Sequence, residues 1–225
     1  RVPHLAWMSM SGESKRDYPA PIDAHSTWYE KYSIIENYFA RVNTAMTRGK
    51  AHCRIALMHP IESYWMLMGP DSDTSMRRQQ LENRFQNVTE WLLFNLLDFD
   101  YVSEALMPEL YRATSDGRLS LGEMAYEAVI LPSMITMRSE TLEELKEFAS
   151  SGGKIIFMGN IPSYVDGVPS AAVKEFAKAC TVIDFDQQRL LDELEPYREL
   201  EITDPGFLRS SRLIYQMRQD GDERW

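Results

Sequence analysis

The residues best able to do chemistry lie together in His59-Pro60-Ile61-Glu62-Ser63-Tyr64-Trp65. An imidazole, a carboxylate and two aromatic rings suit a carbohydrate. Sugar hydroxyls take hydrogen bonds, and sugar C–H faces stack on rings that are apolar in body and polar at one edge. His59, Glu62, Tyr64 and Trp65 are therefore candidate substrate-binding residues. Asp17 and His25, in the irregular N-terminal segment with Trp28, join them as candidates for the rim of the same cleft. A plainer reading stays open: His59 ends a strand, while Tyr64 and Trp65 pack against another part of a longer polypeptide. His59 and Glu62 make only half of a metal site, and no second cluster of ligands lies nearby in sequence, so no metal is expected.

Other chemistries find less support. Cys53 and Cys180 sit far apart in apolar surroundings and read as buried thiols, neither a disulfide nor an exposed nucleophile. Glycoside hydrolysis needs two carboxylates about 5–5.5 Å apart for retention, or about 6.5–9.5 Å apart for inversion. The chain has 34 Asp and Glu. Most lie on polar helix faces, such as Glu140, Glu143, Glu144 and Glu147, and none is nominated as acid or nucleophile. A flavin would need a loop of small hydroxyl residues and glycine after the first strand. Pro60, Glu62 and two large rings stand there instead, so no cofactor is expected.

The elements that must position these residues are easier to read. Tyr126 to Gly159 runs strand, loop, amphipathic helix, paired glycines, strand, which is a βαβ unit. Strands are predicted at His52–Met58, 98–104, Ala128–Leu131, Lys154–Met158 and Val182–Phe185. Helices are predicted at about 28–48, 80–97, 139–151, 169–179 and 187–198, with Ile61 to Met76 as a long loop. Ser26 or Thr27 is the expected N-cap of the first helix and Gly49 its stop. Ser139 is the expected cap of the third, and Pro169 the start of the fourth. Residues 199–203 are expected to return toward the sheet. Five strands alternating with helices make an open, doubly wound α/β domain with a mainly parallel sheet.

Composition narrows the partners. A net charge of -10, from 24 Lys and Arg against the 34 acids, argues against a nucleic-acid surface. No apolar run is long enough to cross a bilayer, so no membrane partner is expected. The 13 methionines read mostly as core filler. The chain opens on Arg1 and closes as a polar turn at Asp220-Gly221-Asp222 begins a hairpin, so a piece of a longer polypeptide is expected. The compartment stays unread, with the cytoplasm favoured.

With the elements placed, the chain resembles the α/β domain that follows the catalytic barrel in family-42 beta-galactosidases, the trimerisation domain. That domain is related in fold to class I glutamine amidotransferases, and similar domains occur in alpha-L-rhamnosidase-like enzymes. The resemblance rests on Tyr32, Tyr38, Ala40-Arg41 and Gly49, on His59-Pro60 with Glu62 and Trp65, on Tyr126 to Pro132, and on Ser151-Gly152-Gly153-Lys154. Arg16-Asp17-Tyr18-Pro19 through His25-Ser26-Thr27-Trp28 resembles the linker leaving a rhamnosidase-like barrel.

The resemblance implies a flavodoxin-like, amidotransferase-like sheet of about five strands with an irregular and helical N-terminal extension. It implies residues 1–49 as linker and helix, 50–205 as the α/β domain, and 206–225 as the start of a following β element. An amidotransferase would carry a Cys on the elbow after the strand ending at Met158; Gly159-Asn160-Ile161-Pro162 stands there, so that activity is not expected. The implied partners are the polypeptide's own catalytic barrel, a carbohydrate substrate and further copies of the chain. Three functions follow: a non-catalytic structural or oligomerisation domain of a glycoside hydrolase lending loops to a sugar cleft, a stand-alone binding module, or a hydrolase with its own site near His59 and Glu62.

Overall fold

In a computed structural model of the chain, residues 27–206 and 209–225 are described. Asp17, His25, Ser26 and most of the linker-like motif lie outside that range. The chain divides into two compact units, one built from the described residues up to Lys50 with Arg218–Arg224, the other from Ala51–Met217 with Trp225.

The smaller unit holds helix α1 (Tyr32–Thr47), entered through a single 3-10 turn at Tyr29–Lys31 instead of a side-chain cap. Its apolar side chains Ile34, Ile35, Tyr38 and Phe39 are exposed. Gly49 ends the helix at φ +63°, where an added Cβ would lie 2.3 Å from the Gln219 carbonyl oxygen. The carbonyls of Arg48 and Gly49 accept from the Arg218 guanidinium, each at 2.6 Å. A cation at a helix C-terminus satisfies both the orphan acceptors and the dipole. Arg218–Asp220 and Glu223–Arg224 form the hairpin expected around Gly221.

The larger unit is organised by five parallel strands: β1 (Ile55–Met58), β2 (Asp100–Val102), β3 (Ala128–Leu131), β4 (Lys154–Met158) and β5 (Thr181–Ile183). Their spatial order is β5-β4-β3-β1-β2, the flavodoxin-like arrangement in which the chain reverses direction between β1 and β3. Register is continuous, with Ile130 paired to Leu57 on one side and Ile156 on the other. β1 and β3 are buried at every position, as unbroken apolar runs covered on both faces must be.

Alternate side chains of each strand feed two cores. The covering helices are α3 (Asp71–Leu93), α5 (Ser139–Ser150), α6 (Ala172–Ala177) and α7 (Gln187–Leu194). On one face Ala56, Val129, Ile155 and Phe157 pack with Leu142, Leu145 and Phe148 of α5 and Val173 and Ala177 of α6. On the other, Ile55, Leu57, Ile130 and Ile156 pack with Val88 and Leu92 of α3 and Leu190, Leu191 and Leu194 of α7. Each fully buried Leu, Ile or Phe contributes about 1.5–3 kcal/mol of transfer free energy, so both faces must be covered for the sheet to persist. At the α5–β4 turn, Gly152 takes φ +96°, and a Cβ on Gly153 would lie 2.0 Å from the Phe148 ring.

Several expectations need correction. Ile61 to Met76 is not a loop: it holds α2 (Ile61–Trp65) and the first turns of α3, which starts at Asp71 just after Pro70. Residues 111–126, after the short α4 (Met107–Leu110), form an antiparallel meander of Tyr111–Ser115, Arg118–Leu121 and Met124–Tyr126. Pro169 lies in a short strand opposite Tyr164, and the helix begins at Ala172. Residues 199–203 return toward the start of β1, where Glu199 pairs with His52 and Arg54, but they add no strand to the five-stranded sheet. The Ser139 side chain does not cap α5. The caps come from afar: Glu104 accepts the Arg138 N–H at 2.7 Å and Asp166 accepts the Ser139 N–H at 3.0 Å.

Candidate functional site

Open α/β sheets place ligands beyond the carboxyl ends of their strands, at the point where strand order reverses. Here that point lies between β1 and β3, and the segments that carry the candidates leave the sheet there. The His59 N–H donates to the Val102 carbonyl at 2.8 Å, extending the ladder by one residue before Pro60 turns the chain into α2. Buried Ser63 then pins α2 to the segment after β3. Its Oγ accepts from the amides of Ile135 (2.9 Å) and Thr136 (3.2 Å) and donates to the Thr136 carbonyl (3.3 Å).

This pin sorts the four described candidates onto two surfaces. Glu62 and Trp65 line an open cavity of about 640 Å³ with Met66, Thr136, Arg138 and Asp166. His59 and Tyr64 line a separate hollow of about 150 Å³ beside Phe85. The His59 ring lies 5.0 Å from the Phe85 ring, and burial holds its imidazole below the ordinary value. His59 and Glu62 thus do not share a cavity. Among the described residues no group of three His, Cys, Asp or Glu is arranged to hold a metal ion. No described helix is long and apolar enough to cross a membrane.

In the larger cavity, Glu62 Oε1 accepts from Arg138 Nε at 2.6 Å and lies in ion-pair contact with Nη2 at the same distance. That pairing restrains the guanidinium, and both side chains line the cavity. The Arg138 main chain is held just as firmly through Glu104. Glu104 is 2% exposed, and burial pushes its carboxyl up to about 7, with nearby Glu62 adding to the rise. Asp166, which also lines the cavity, is held below the usual carboxylate range by its hydrogen bonds with Ser139. Trp65 stands 57% exposed, and Met66 beside it 41%.

No family model matches the sequence, and no curated protein matches it. Among solved structures it is similar to a rhamnosidase from Novosphingobium sp. PP1Y, at 14% identity and TM-score 0.53, covering 92% of this chain and 20% of that one. It is also similar to a beta-galactosidase from Bacillus circulans sp. alkalophilus (13% identity, TM-score 0.47, 67% and 20% covered). A third is alpha-L-fucosidase isoenzyme 2 from Paenibacillus thiaminolyticus (17%, 0.37, 64% and 18%). The likeness is to glycoside hydrolases, and it is one of fold. The chain spans about a fifth of the length of these proteins.

Sequence reasoning missed Arg138, Glu104, Thr136 and Asp166. Arg138 and Glu62 are 76 positions apart, and nothing local to either announces the pair. Of the two thiols expected to be buried, Cys53 is, whereas Cys180 is half-buried. Cys53 is buried, with its thiol pushed up by burial, and Cys180 is raised to about 11 by the same cause.

Proposed function

We propose that this chain is a non-catalytic α/β domain of a multidomain glycoside hydrolase, related to the amidotransferase-like trimerisation domains, and that it lends a sugar-contacting wall to a cleft. The observation that carries the sugar reading is the cavity formed by exposed Trp65 beside the fixed Glu62–Arg138 pair. An indole face offers a stacking surface for sugar C–H groups, and a planar, ordered donor and acceptor set offers hydroxyl recognition at low entropic cost. Glu62 is already committed to a guanidinium and serves here as a binding group, not as an acid or nucleophile. The exposed Ile34, Ile35, Tyr38 and Phe39 of α1 support a role beside another domain or another copy, since such side chains gain most when covered.

Calorimetric titration of the chain with L-rhamnose, L-fucose, D-galactose and their methyl glycosides tests the reading. Saturable, weak binding of at least one is expected, reduced about tenfold or less by Trp65→Ala, the size of one lost stacking contact. Absence of binding to all of them, or affinity unchanged in Trp65→Ala, removes the sugar role. Turnover of aryl glycosides that is abolished by Glu62→Ala removes the non-catalytic one.

A further inference from the structure

A third pocket, of about 100 Å³, lies between α3 and the loops that leave β3 and β4. Its polar lining is Arg77, Gln80 and Arg84 from α3, Ser133 after β3 and Asn160 after β4. Arg77 and Arg84 are seven residues apart, two turns along one face of the helix. No carboxylate lines the pocket. Among the described residues neither Arg77 nor Arg84 takes part in an ion pair, whereas Arg78, between them, is committed to Asp71 and to the carbonyls of Leu67 and Gly69. In a chain with ten more acids than bases, two neighbouring guanidiniums without a counter-charge are conspicuous.

Arg84 is also held in place. Its Nη1 donates to the Ser133 hydroxyl at 2.9 Å, and its guanidinium lies 5.3 Å from the centre of the Phe185 ring. Ser133 Oγ takes a second hydrogen bond from the Asn160 amide at 3.3 Å and donates to the Met158 carbonyl at 3.4 Å. Gly159 makes this approach possible: it takes φ +75°, and a Cβ there would lie 2.5 Å from Ser133 Oγ. The hydroxyl is therefore fully used in positioning, and the unspent donors are on Arg84, Arg77 and the side-chain amides of Gln80 and Asn160. A half-buried guanidinium fixed in orientation is the donor fork that oxyanions take in two parallel hydrogen bonds.

We propose that this pocket binds an oxyanion group, the carboxylate of a sugar acid or a phosphate, clamped between Arg77 and Arg84 at the carboxyl ends of β3 and β4. The volume holds the anionic head, with the rest of the ligand outside. The proposal does not rest on the sugar reading of the Trp65 cavity. Titration of the whole chain with sodium glucuronate, inorganic phosphate and glucose, at constant ionic strength, tests it. Saturable binding of one or both anions and none of glucose is expected. Glucuronate alone assigns a carboxylate, phosphate alone a phosphoryl group, and both a general oxyanion site. Arg77→Gln, which removes an exposed side chain with no ion-pair partner among the described residues, should weaken binding about tenfold, the loss of one charge-assisted contact, and Arg84→Gln by at least as much. Trp65→Ala should leave it unchanged. The proposal is overturned if neither anion binds saturably, if glucose binds equally well, or if Arg77→Gln binds with the affinity of the parent chain.

Discussion

Replacing Glu104 by Gln should stabilise the protein above neutral pH and leave it nearly unchanged at acid pH. Glu104 is buried, and its carboxyl is raised from 4.5 to about 7, first by burial and then by neighbouring Glu62. A carboxyl whose folded value is raised favours the protonated folded state. Its stabilising contribution is complete below the unfolded value and is lost as pH climbs through the folded one. The window is therefore about pH 4.5 to 7. The loss across it is about 3 kcal/mol, at 1.36 kcal/mol per unit of difference. Gln cannot ionise, so that loss disappears. It keeps a carbonyl for the Arg138 N–H, and its amide can turn to the buried Thr141 hydroxyl.

The carboxylate's hydrogen bond from the Arg138 N–H already moderates the rise to about 7, so with the two proteins equal at acid pH the net gain of the Gln variant at pH 8 is about 3 kcal/mol. Urea unfolding of both proteins at pH 5 and pH 8, followed by tryptophan fluorescence, reads the difference. Comparing the two proteins at each pH cancels other titrating groups, among them Asp98, itself raised to about 6 by burial. Parallel pH profiles, or a Gln variant weaker than its parent at pH 8, would refute the assignment of a strained buried acid to this position.

Ser63→Ala should lower stability by about 3 kcal/mol, since the amides of Ile135 and Thr136 lose their acceptor in a largely buried setting. The urea midpoint measures this, and a loss below about 0.5 kcal/mol, the range of an ordinary surface substitution, would show that α2 is not pinned through this hydroxyl. Cys53 should resist a disulfide reagent at pH 8 in the native state. Cys180, raised to about 11, should react slowly because only about one thiol in a thousand is ionised there. Both should react at once in urea, and rapid native labelling of Cys53 would contradict its burial.

The sheet was legible because its strands are short apolar runs separated by amphipathic helices. Ala128–Leu131 and Lys154–Met158 are buried on both faces and carry a signal that owes nothing to distant residues. The antiparallel meander was also written in the chain. Asp116 and Gly117 both take positive φ, the pair a tight hairpin turn demands, and that dipeptide sits between two alternating segments. The start of α3 was announced by Pro70 with Asp71 and Asp73 in the first turn, but the aromatic and methionine-rich stretch before it reads as loop by composition. Helix α2 is five residues long, too short for a periodicity to show.

The site was half legible for a different reason. Glu62 and Trp65 were found because a carboxylate and an indole at the end of a strand carry a local signature. Their partners carry none: Glu104, Arg138 and Asp166 are joined only when three separate strand ends meet. Arg138 is where this matters most. Its backbone N–H leans on Glu104, its side chain on Glu62, and the next residue's amide on Asp166. The start of α5 and the wall of the Trp65 cavity are therefore one construction, capped by acids from elsewhere in the sequence. Because Leu142, Leu145 and Phe148 of that same helix lie in the core, the orientation of the Arg138–Glu62 pair is tied to the packing of β3 and β4. A pocket held this way presents its donors without reorganising when a ligand arrives, the condition under which a few polar groups and one aromatic face give useful affinity.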